Sequence, residues 1–249
     1  MIEKKREQVN RIPSVRDRVN GFRSALICLL AGMLLVACQP KAVIQGPPDS
    51  STQLNHSVAE KPSALKDAER PINAPKVDHN LLIAAIFQET NMRRRENGLA
   101  PLRHEPRLDA AARQHAASMA QHNYLSHTDP YNAKYRAPKE RALEAGFQFR
   151  FLAENIATHF AIQYQSGTPV YQVPAGTGYS YQPNGSPILK HTYQSFAATL
   201  LDQWMNSPGH RQNILSVEPD LFGSDCRLRS EQDGLDKFYC VQLFGRALE

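Results

Sequence analysis

Two histidines and one glutamate stand in three polar motifs that lie far apart along the chain. His127 ends the run NYLSH, Glu154 begins the run ENIA, and His210 lies within SPGHRQNIL. Neutral imidazoles and carboxylates can coordinate a divalent cation, move a proton or hydrogen-bond one another. We therefore take His127, Glu154 and His210 as the candidate catalytic and metal-binding residues of one cleft, with Zn²⁺ as the candidate cofactor.

Three interpretations of this set stay open from the residues alone, because the spacing is not a local metal motif such as His-Glu-x-x-His. They are a metal site, a polar hydrogen-bonded cleft without metal, and separate structural roles. Ser126 is adjacent to His127 in sequence, which does not make a nucleophile-base pair, and no other nucleophile is evident. An enzyme would therefore activate water, with Glu154 as base and the two histidines as metal ligands.

Residues 1–37 are typical of an export signal. A leader with seven basic and three acidic residues precedes an apolar run over 25–37, which is shorter than the roughly 20 residues of a membrane-spanning helix. The run ends in LVAC, which resembles a bacterial lipobox, so we predict cleavage and a lipid on Cys38. Gln39 then favours the outer membrane. An uncleaved N-terminal anchor is the alternative.

The segment 38–78 is rich in proline, serine, alanine and lysine, which predicts a disordered tether between the lipid and a folded domain over 79–249. Loss of the leader removes seven basic and three acidic residues from a formal net charge of +5, which leaves about +1. This balance excludes a nucleic-acid partner, since such proteins need a basic surface. The membrane, reached through the lipid on Cys38, is the predicted partner.

The folded part mixes helices and strands without regular alternation, so we predict the α+β class with an antiparallel sheet. Helical spacing and capping residues predict four helices and three strands. The helices are at 78–98, from 106 onward, 138–145 and around 196–206, and the strands are at 149–157, 222–229 and 237–245.

Of the four cysteines, Cys28 is removed with the leader and Cys38 carries the predicted lipid, so Cys226 and Cys240 remain. They face each other if the last two strands form a hairpin about Asp233, and directly opposed residues have a separation that suits a disulfide. An oxidising envelope favours the bond, and two reduced core cysteines are the alternative.

An insertion over about 160–194 contains tyrosines among prolines and glycines, which predicts a long loop or loose hairpin. A decorative insertion and a partner-binding loop both fit it.

Several motifs together resemble the bacterial CAP superfamily, which is named for cysteine-rich secretory, antigen-five and pathogenesis-related proteins and is also called SCP-like. They are ETN (89–91), NGL (97–99), Pro106-x-Leu108, SH (126–127), ENIA (154–157) and WMNSPGHRQNIL (204–215). The resemblance implies an α-β-α three-layer sandwich with a central antiparallel sheet, and a cleft with two histidines and two acids. His127, His210 and Glu154 match. Ser207 occupies one family position for the second acid, and Glu140 fits the other, which adds Glu140 to the metal-binding candidates.

The resemblance also favours a lipid-anchored binding module of the cell envelope, with a lipid, glycan or protein ligand in the cleft or at the insertion. A metal-dependent hydrolase of envelope peptides or esters is the alternative. A structural envelope protein is the third hypothesis.

Overall fold

The computed structural model describes residues 11–12, 67–173, 178–231 and 234–248. The predicted lipobox, Cys38 and most of the tether lie outside these residues. The folded part begins before the predicted boundary at 79, because Ala68 and Ile72 are buried in the core. The backbone N–H of Ile72 donates to the carbonyl of His191 at 2.8 Å. Residues 67–78 are therefore part of the domain rather than of the tether.

The described residues form helices α1 (His79–Glu96), α2 (Pro106–His122), α3 (Pro138–Glu144), α4 (Tyr193–Met205) and α5 (Pro208–Ile214). Short 3₁₀ turns lie at Ala74–Lys76 and Ala133–Tyr135. The strands are β1 (Arg11–Ile12), β2 (Arg103–His104), β3 (Phe149–Phe160), β4 (Val170–Gln172), β5 (Tyr179–Ser180), β6 (Leu221–Arg229) and β7 (Lys237–Ala247). Within the described ranges, no helix combines the length and hydrophobicity needed to cross a bilayer.

Local sequence explains where the long helices begin and end. The Asp78 carboxylate accepts a hydrogen bond from the Leu81 N–H at 3.1 Å and so caps α1. Pro106 starts α2, where a missing N–H costs nothing. Asn123 ends α2 in the left-handed region with φ 54°, which a short polar side chain tolerates. The chain therefore turns sharply there into the loop that carries His127.

The main sheet has the order β2-β6-β7-β3. Strand β7 pairs antiparallel with both β6 and β3, and the two-residue β2 runs parallel to β6 at one edge. Cys226 lies opposite Cys240 in the β6–β7 register, and a disulfide of 2.08 Å joins them. The predicted antiparallel sheet and disulfide are thus confirmed, and β2 is a short parallel addition. Strand β3 occupies the other edge.

Apolar side chains cover both faces of this sheet. Phe222 and Phe244 point to a core shared with α1 and α4, and Val241 and Leu243 point to a core shared with α2 and α3. This alternation follows the two-residue period of a strand. Helix α2 approaches so closely that a Cβ on Gly223 would lie 2.4 Å from a backbone nitrogen of α2. The predicted α-β-α sandwich is confirmed.

The insertion forms a small sheet of its own rather than an unstructured loop. Strands β4 and β5 pair antiparallel, and β1 pairs with β4. An isolated bridge between Ile162 and Lys190 closes the base of the insertion. The insertion therefore adopts the predicted loose hairpin, through the antiparallel pair of β4 and β5. Residues 11–12 of the predicted signal peptide lie in this sheet, and the cleavage of residues 1–37 stays a prediction.

Candidate functional site

The candidate cleft straddles β3, the edge strand that carries Glu154. His127 reaches this strand from the loop after α2, and its Nδ1 lies 2.8 Å from Glu154 Oε1. Since a carboxylate accepts, Nδ1 carries the proton and Nε2 is the nitrogen left for a ligand. The His127 side chain is 53% exposed, whereas the Glu154 side chain is 2% exposed. A buried carboxylate thus orients an exposed imidazole.

Arg141 on α3 contacts the other oxygen of the Glu154 carboxylate. Its Nη2 donates to Glu154 Oε2 at 2.7 Å, and its side chain is fully buried. The same guanidinium also donates to the backbone carbonyls of His127, Tyr135 and Arg136, at 3.1, 2.9 and 3.2 Å. Arg141 therefore neutralises the carboxylate and fastens the His127 loop to the sheet.

Glu154 stays ionised in this setting. Burial alone would raise the pKa of the carboxyl, but the hydrogen bond from His127 and the positive charge of Arg141 outweigh it and hold the pKa below its ordinary value. Both carboxylate oxygens have a strong donor. Because Glu154 is also buried, it acts as a positioning group for His127.

His115 on α2 supports the same loop from the core. Its Nε2 lies 2.8 Å from the Ser126 carbonyl, so Nε2 carries the proton and donates. Burial lowers the pKa of His115 to about 4. This histidine is fully buried, so it is part of the core beneath the His127 loop.

On the other face of β3, a chain of carboxamides holds the segment that carries His210. Asn155 Nδ2 donates to the His210 carbonyl and to Gln242 Oε1, each at 3.1 Å. Asn213 on α5 donates to Asn155 Oδ1 at 2.8 Å. Gln242 Nε2 in turn donates to Thr90 Oγ1 on α1 at 3.0 Å. The backbone of α5 is therefore fixed to the sheet by buried hydrogen bonds.

His210 lies on the short helix α5. Burial, and secondarily the positive charge of His127, lower the pKa of the His210 imidazole. In the described ranges no side chain hydrogen-bonds the His210 ring.

Glu140 and the serines near the cleft have other partners. Glu140 Oε2 accepts from the Ala137 N–H at 2.9 Å and caps α3, so it is not bonded to either histidine. Ser207 precedes α5 without a side-chain cap bond. Ser126 Oγ accepts from the Thr128 N–H at 3.1 Å. Within the described residues, no serine or cysteine side chain contacts His127 or His210 as a nucleophile would.

The described side chains do not fit a metal ion as they are arranged. No group of three or more His, Cys, Asp or Glu side chains among them is placed to hold one. Zinc sites use at least three protein ligands, and Glu154 is already paired with Arg141. We derive no chemical step through a metal. Binding of Zn²⁺ by His127, Glu140, Glu154 and His210 stays a prediction.

Sequence reasoning missed the residues that hold the histidines in place. Asn155 and Asn213 belong to the predicted motifs, but their partners Gln242 and Thr90 lie on other elements. Arg141 carries no local signal of burial, since an arginine on a short helix is normally solvated. Arg141 is a core residue because the fold places the Glu154 carboxylate of β3 beside it.

Comparison with known proteins finds a family model that matches more than half of this chain. The model of the CAP family, described as the cysteine-rich secretory protein family, matches residues 87–244. The uncharacterized protein YkwD of Bacillus subtilis is 28% identical over 131 residues, which are 53% of this chain and 37% of YkwD. The chain thus spans less than half the length of that relative.

Solved structures show similar domains at low identity. An extracellular SCP-domain protein from Bacillus anthracis is 23% identical, with 68% of this chain and 41% of that chain covered and a TM-score of 0.45. An outer surface protein from Borrelia burgdorferi is 17% identical, with coverage of 66% and 90% and a TM-score of 0.43. The CAP domain of enterococcal PrgA is 16% identical, with coverage of 74% and 71% and a TM-score of 0.42.

Proposed function

The chain belongs to the CAP (cysteine-rich secretory protein) family, and we propose that it is a binding module of the cell envelope. The recognition surface is the cleft formed by His127, Glu154 and His210. The insertion over 160–194 provides a second contact surface. The ligand is a component of the envelope, taken from its lipids, glycans or proteins.

The observation that carries this proposal is the support given to one exposed imidazole. His127 is more than half exposed, whereas Glu154 and Arg141 beneath it are buried almost completely. A buried ion pair is weak evidence for stability, because desolvation offsets most of its attraction. A fixed, exposed donor-acceptor group does reduce the entropy lost when a ligand binds. The pair therefore makes better sense as a device for recognition.

Exposed apolar side chains in the loop between α2 and α3 strengthen the argument. Leu125 is 50% exposed and Tyr131 is 59% exposed, and His127 lies between them in sequence. The Tyr131 ring stacks on His122 at 4.0 Å between centroids, which orders this exposed aromatic. Apolar groups beside a few well-placed polar atoms are typical of binding surfaces.

The anchor is part of the proposal. A lipid on Cys38 would hold the domain at the membrane, and Gln39 favours the outer membrane. Mass spectrometry of the mature N-terminus tests this directly, since a lipidated Cys38 adds a diacylglyceryl mass. A Cys38→Ser chain should lack that mass, and the same added mass in both chains would contradict a lipid on Cys38.

The binding function is tested with residues 39–249, which lack both the lipid and the apolar run over 25–37, so that no membrane anchor can cause sedimentation. This chain is mixed with purified envelope material, and the bound fraction is measured after centrifugation. The double variant His127→Ala/His210→Ala should bind about tenfold more weakly, since two hydrogen bonds are lost. His79→Ala, a partly exposed histidine at the start of α1, is the matched control. Equal binding of both variants would refute the role of the cleft.

One observation favours a second candidate, a hydrolase without metal. The His127–Glu154 pair leaves Nε2 free to take a proton from water, and the carboxylate would stabilise the resulting imidazolium. Hydrolysis of p-nitrophenyl acetate is the probe. Activity that falls in both Glu154→Gln and His127→Ala supports catalysis. Activity that persists in both variants, or that is absent from the native chain, leaves binding as the function.

A further inference from the structure

A second cavity lies away from the cleft, where the first residues of the insertion face α4. Its volume is about 240 Å³, equivalent to roughly eight waters at ~30 Å³ each. That is smaller than the usual site of a drug-sized ligand and suits one small ring. The insertion forms one wall, so the cavity exists only because the chain departs here from a plain sandwich.

The chemistry of the lining is neutral throughout. It consists of imidazoles, hydroxyls, carboxamides and one phenol ring, and no Asp, Glu, Lys or Arg side chain contributes in the described residues. Burial lowers the pKa of His159, and burial together with the charge of His159 lowers the pKa of His191 to about 4. Both histidines are therefore uncharged at neutral pH. A charged ligand would find no counter-ion here.

Several lining groups are already held in place. His159 Nε2 lies 2.9 Å from Thr199 Oγ1, and His191 Nδ1 lies 3.1 Å from Ser195 Oγ. The Tyr164 hydroxyl donates to the Thr168 carbonyl at 2.9 Å, which fixes the angle of its ring. The cavity is therefore built before a ligand arrives.

Other polar atoms of the lining have no partner in the described residues. His191 Nε2 is one of them, and the side-chain carboxamide of Gln165 is another. The side-chain nitrogen of Gln163 donates to the Lys190 carbonyl at 3.2 Å, and the side-chain oxygen of Gln163 has no partner in the described residues. An imidazole and two carboxamides offer both donors and acceptors. Hydroxyl groups, which donate and accept at once, match this mixture.

We propose that this cavity binds one neutral sugar ring of an envelope glycan, with His191 and Gln165 bonding its hydroxyls and Tyr164 packing against its C–H face. A peptide would instead need an open strand edge or charged partners for its ends, and the lining supplies neither. This inference rests on the proposed binding function, because it assigns a ligand class to the insertion. The cleft of His127 and His210 takes no part in it.

The test is saturation-transfer NMR on the full chain, with N-acetylglucosamine and methyl β-glucoside as probes and N-acetylglycinamide as the peptide mimic. Ring protons of a sugar should receive saturation. Gln165→Ala and Tyr164→Ala should each weaken the affinity about fivefold, as expected for one lost contact. Gln194→Ala, an exposed glutamine of α4 outside the cavity, should leave it unchanged.

Three results would overturn the assignment: no transfer to either sugar, equal weakening by Gln194→Ala, or stronger binding of the peptide mimic than of the sugars. Gln165 is exposed, so its variant should fold, and near-ultraviolet circular dichroism checks this. If Tyr164→Ala unfolds, Gln165→Ala decides alone. Envelope sedimentation that persists without sugar binding refutes this site only. Sugar binding that survives in His127→Ala/His210→Ala separates it from the cleft.

Discussion

Arg141→Met is the perturbation that best tests how the cleft is held. The substitution keeps a long apolar stem and removes the guanidinium, which makes four hydrogen bonds to Glu154 and to three backbone carbonyls. The Glu154 carboxylate would then be buried without its counter-ion. Breaking one side of a buried pair costs about 3–5 kcal/mol. For a domain of this size that corresponds to a fall in Tm of about 10 °C.

The double variant Arg141→Met/Glu154→Gln shows whether charge is the cause. Glu154→Gln alone leaves Arg141 buried and unpaired, so each single variant carries an uncompensated charge. The double variant carries none, and its loss of stability should be smaller than the sum of the two single losses. Arg95→Met, on the exposed end of α1, is the control and should change stability by less than about 0.5 kcal/mol.

Urea unfolding followed by circular dichroism gives the free energies of unfolding of the native chain, the two single variants, the double variant and the control. A loss below about 1 kcal/mol for Arg141→Met would refute the reasoning, since a truly buried pair cannot be broken so cheaply. Strict additivity of the two single variants would also refute it. It would mean that Arg141 acts through its backbone carbonyl contacts and not through Glu154.

Three further predictions concern stability. His115 and His191 each have a pKa of about 4 in the folded state and about 6.5 in the unfolded state. Between these two pH values the unfolded state binds more protons than the folded state. Their contribution to stability is therefore complete above pH 6.5 and is lost as the pH falls toward 4. We expect a loss of about 4 kcal/mol between pH 7.5 and 5.0 in urea titrations, about 2 kcal/mol from each histidine. An unchanged or higher urea midpoint at pH 5.0 would contradict it. The double variant Cys226→Ala/Cys240→Ala removes a disulfide that joins residues with a sequence separation of 14. It should lower the free energy of unfolding by about 3 kcal/mol. A loss below about 1 kcal/mol would contradict this prediction. Asn155→Ala removes the hydrogen bonds that this side chain makes to buried polar groups, so it should lower the free energy of unfolding by about 2 kcal/mol. An unchanged free energy of unfolding would show that water replaces the amide.

Local periodicity was enough to predict the helices, the strands and the α+β class, whereas the sandwich was implied by the family resemblance. Phe196, Leu200 and Trp204 recur at helical spacing, and all three are fully buried in the core shared by α1 and α4. The two cysteines are placed symmetrically about a turn, and the β6–β7 register brings them opposite each other. These features depend on residues that are near in sequence or on one strand pair, so the chain itself carries the signal.

Tertiary packing decided what could not be predicted. Ala68 lies in a segment whose composition is typical of a tether, yet it is buried because α4 covers it. The three motifs located His127, Glu154 and His210, but they could not say which atom of Glu154 meets which partner. That answer depends on Arg141, which comes from another layer of the sandwich.

Histidine-selective NMR is the most direct measurement of the central claim, that the cleft is a recognition surface for envelope material. Solubilised envelope fractions are titrated into the Cys38→Ser chain while the ring signals are followed. The account predicts that the signals of His127 and His210 shift in a saturable way and that the signal of His79, at the start of α1, does not. Binding of the envelope material with no change at His127 and His210 would contradict it.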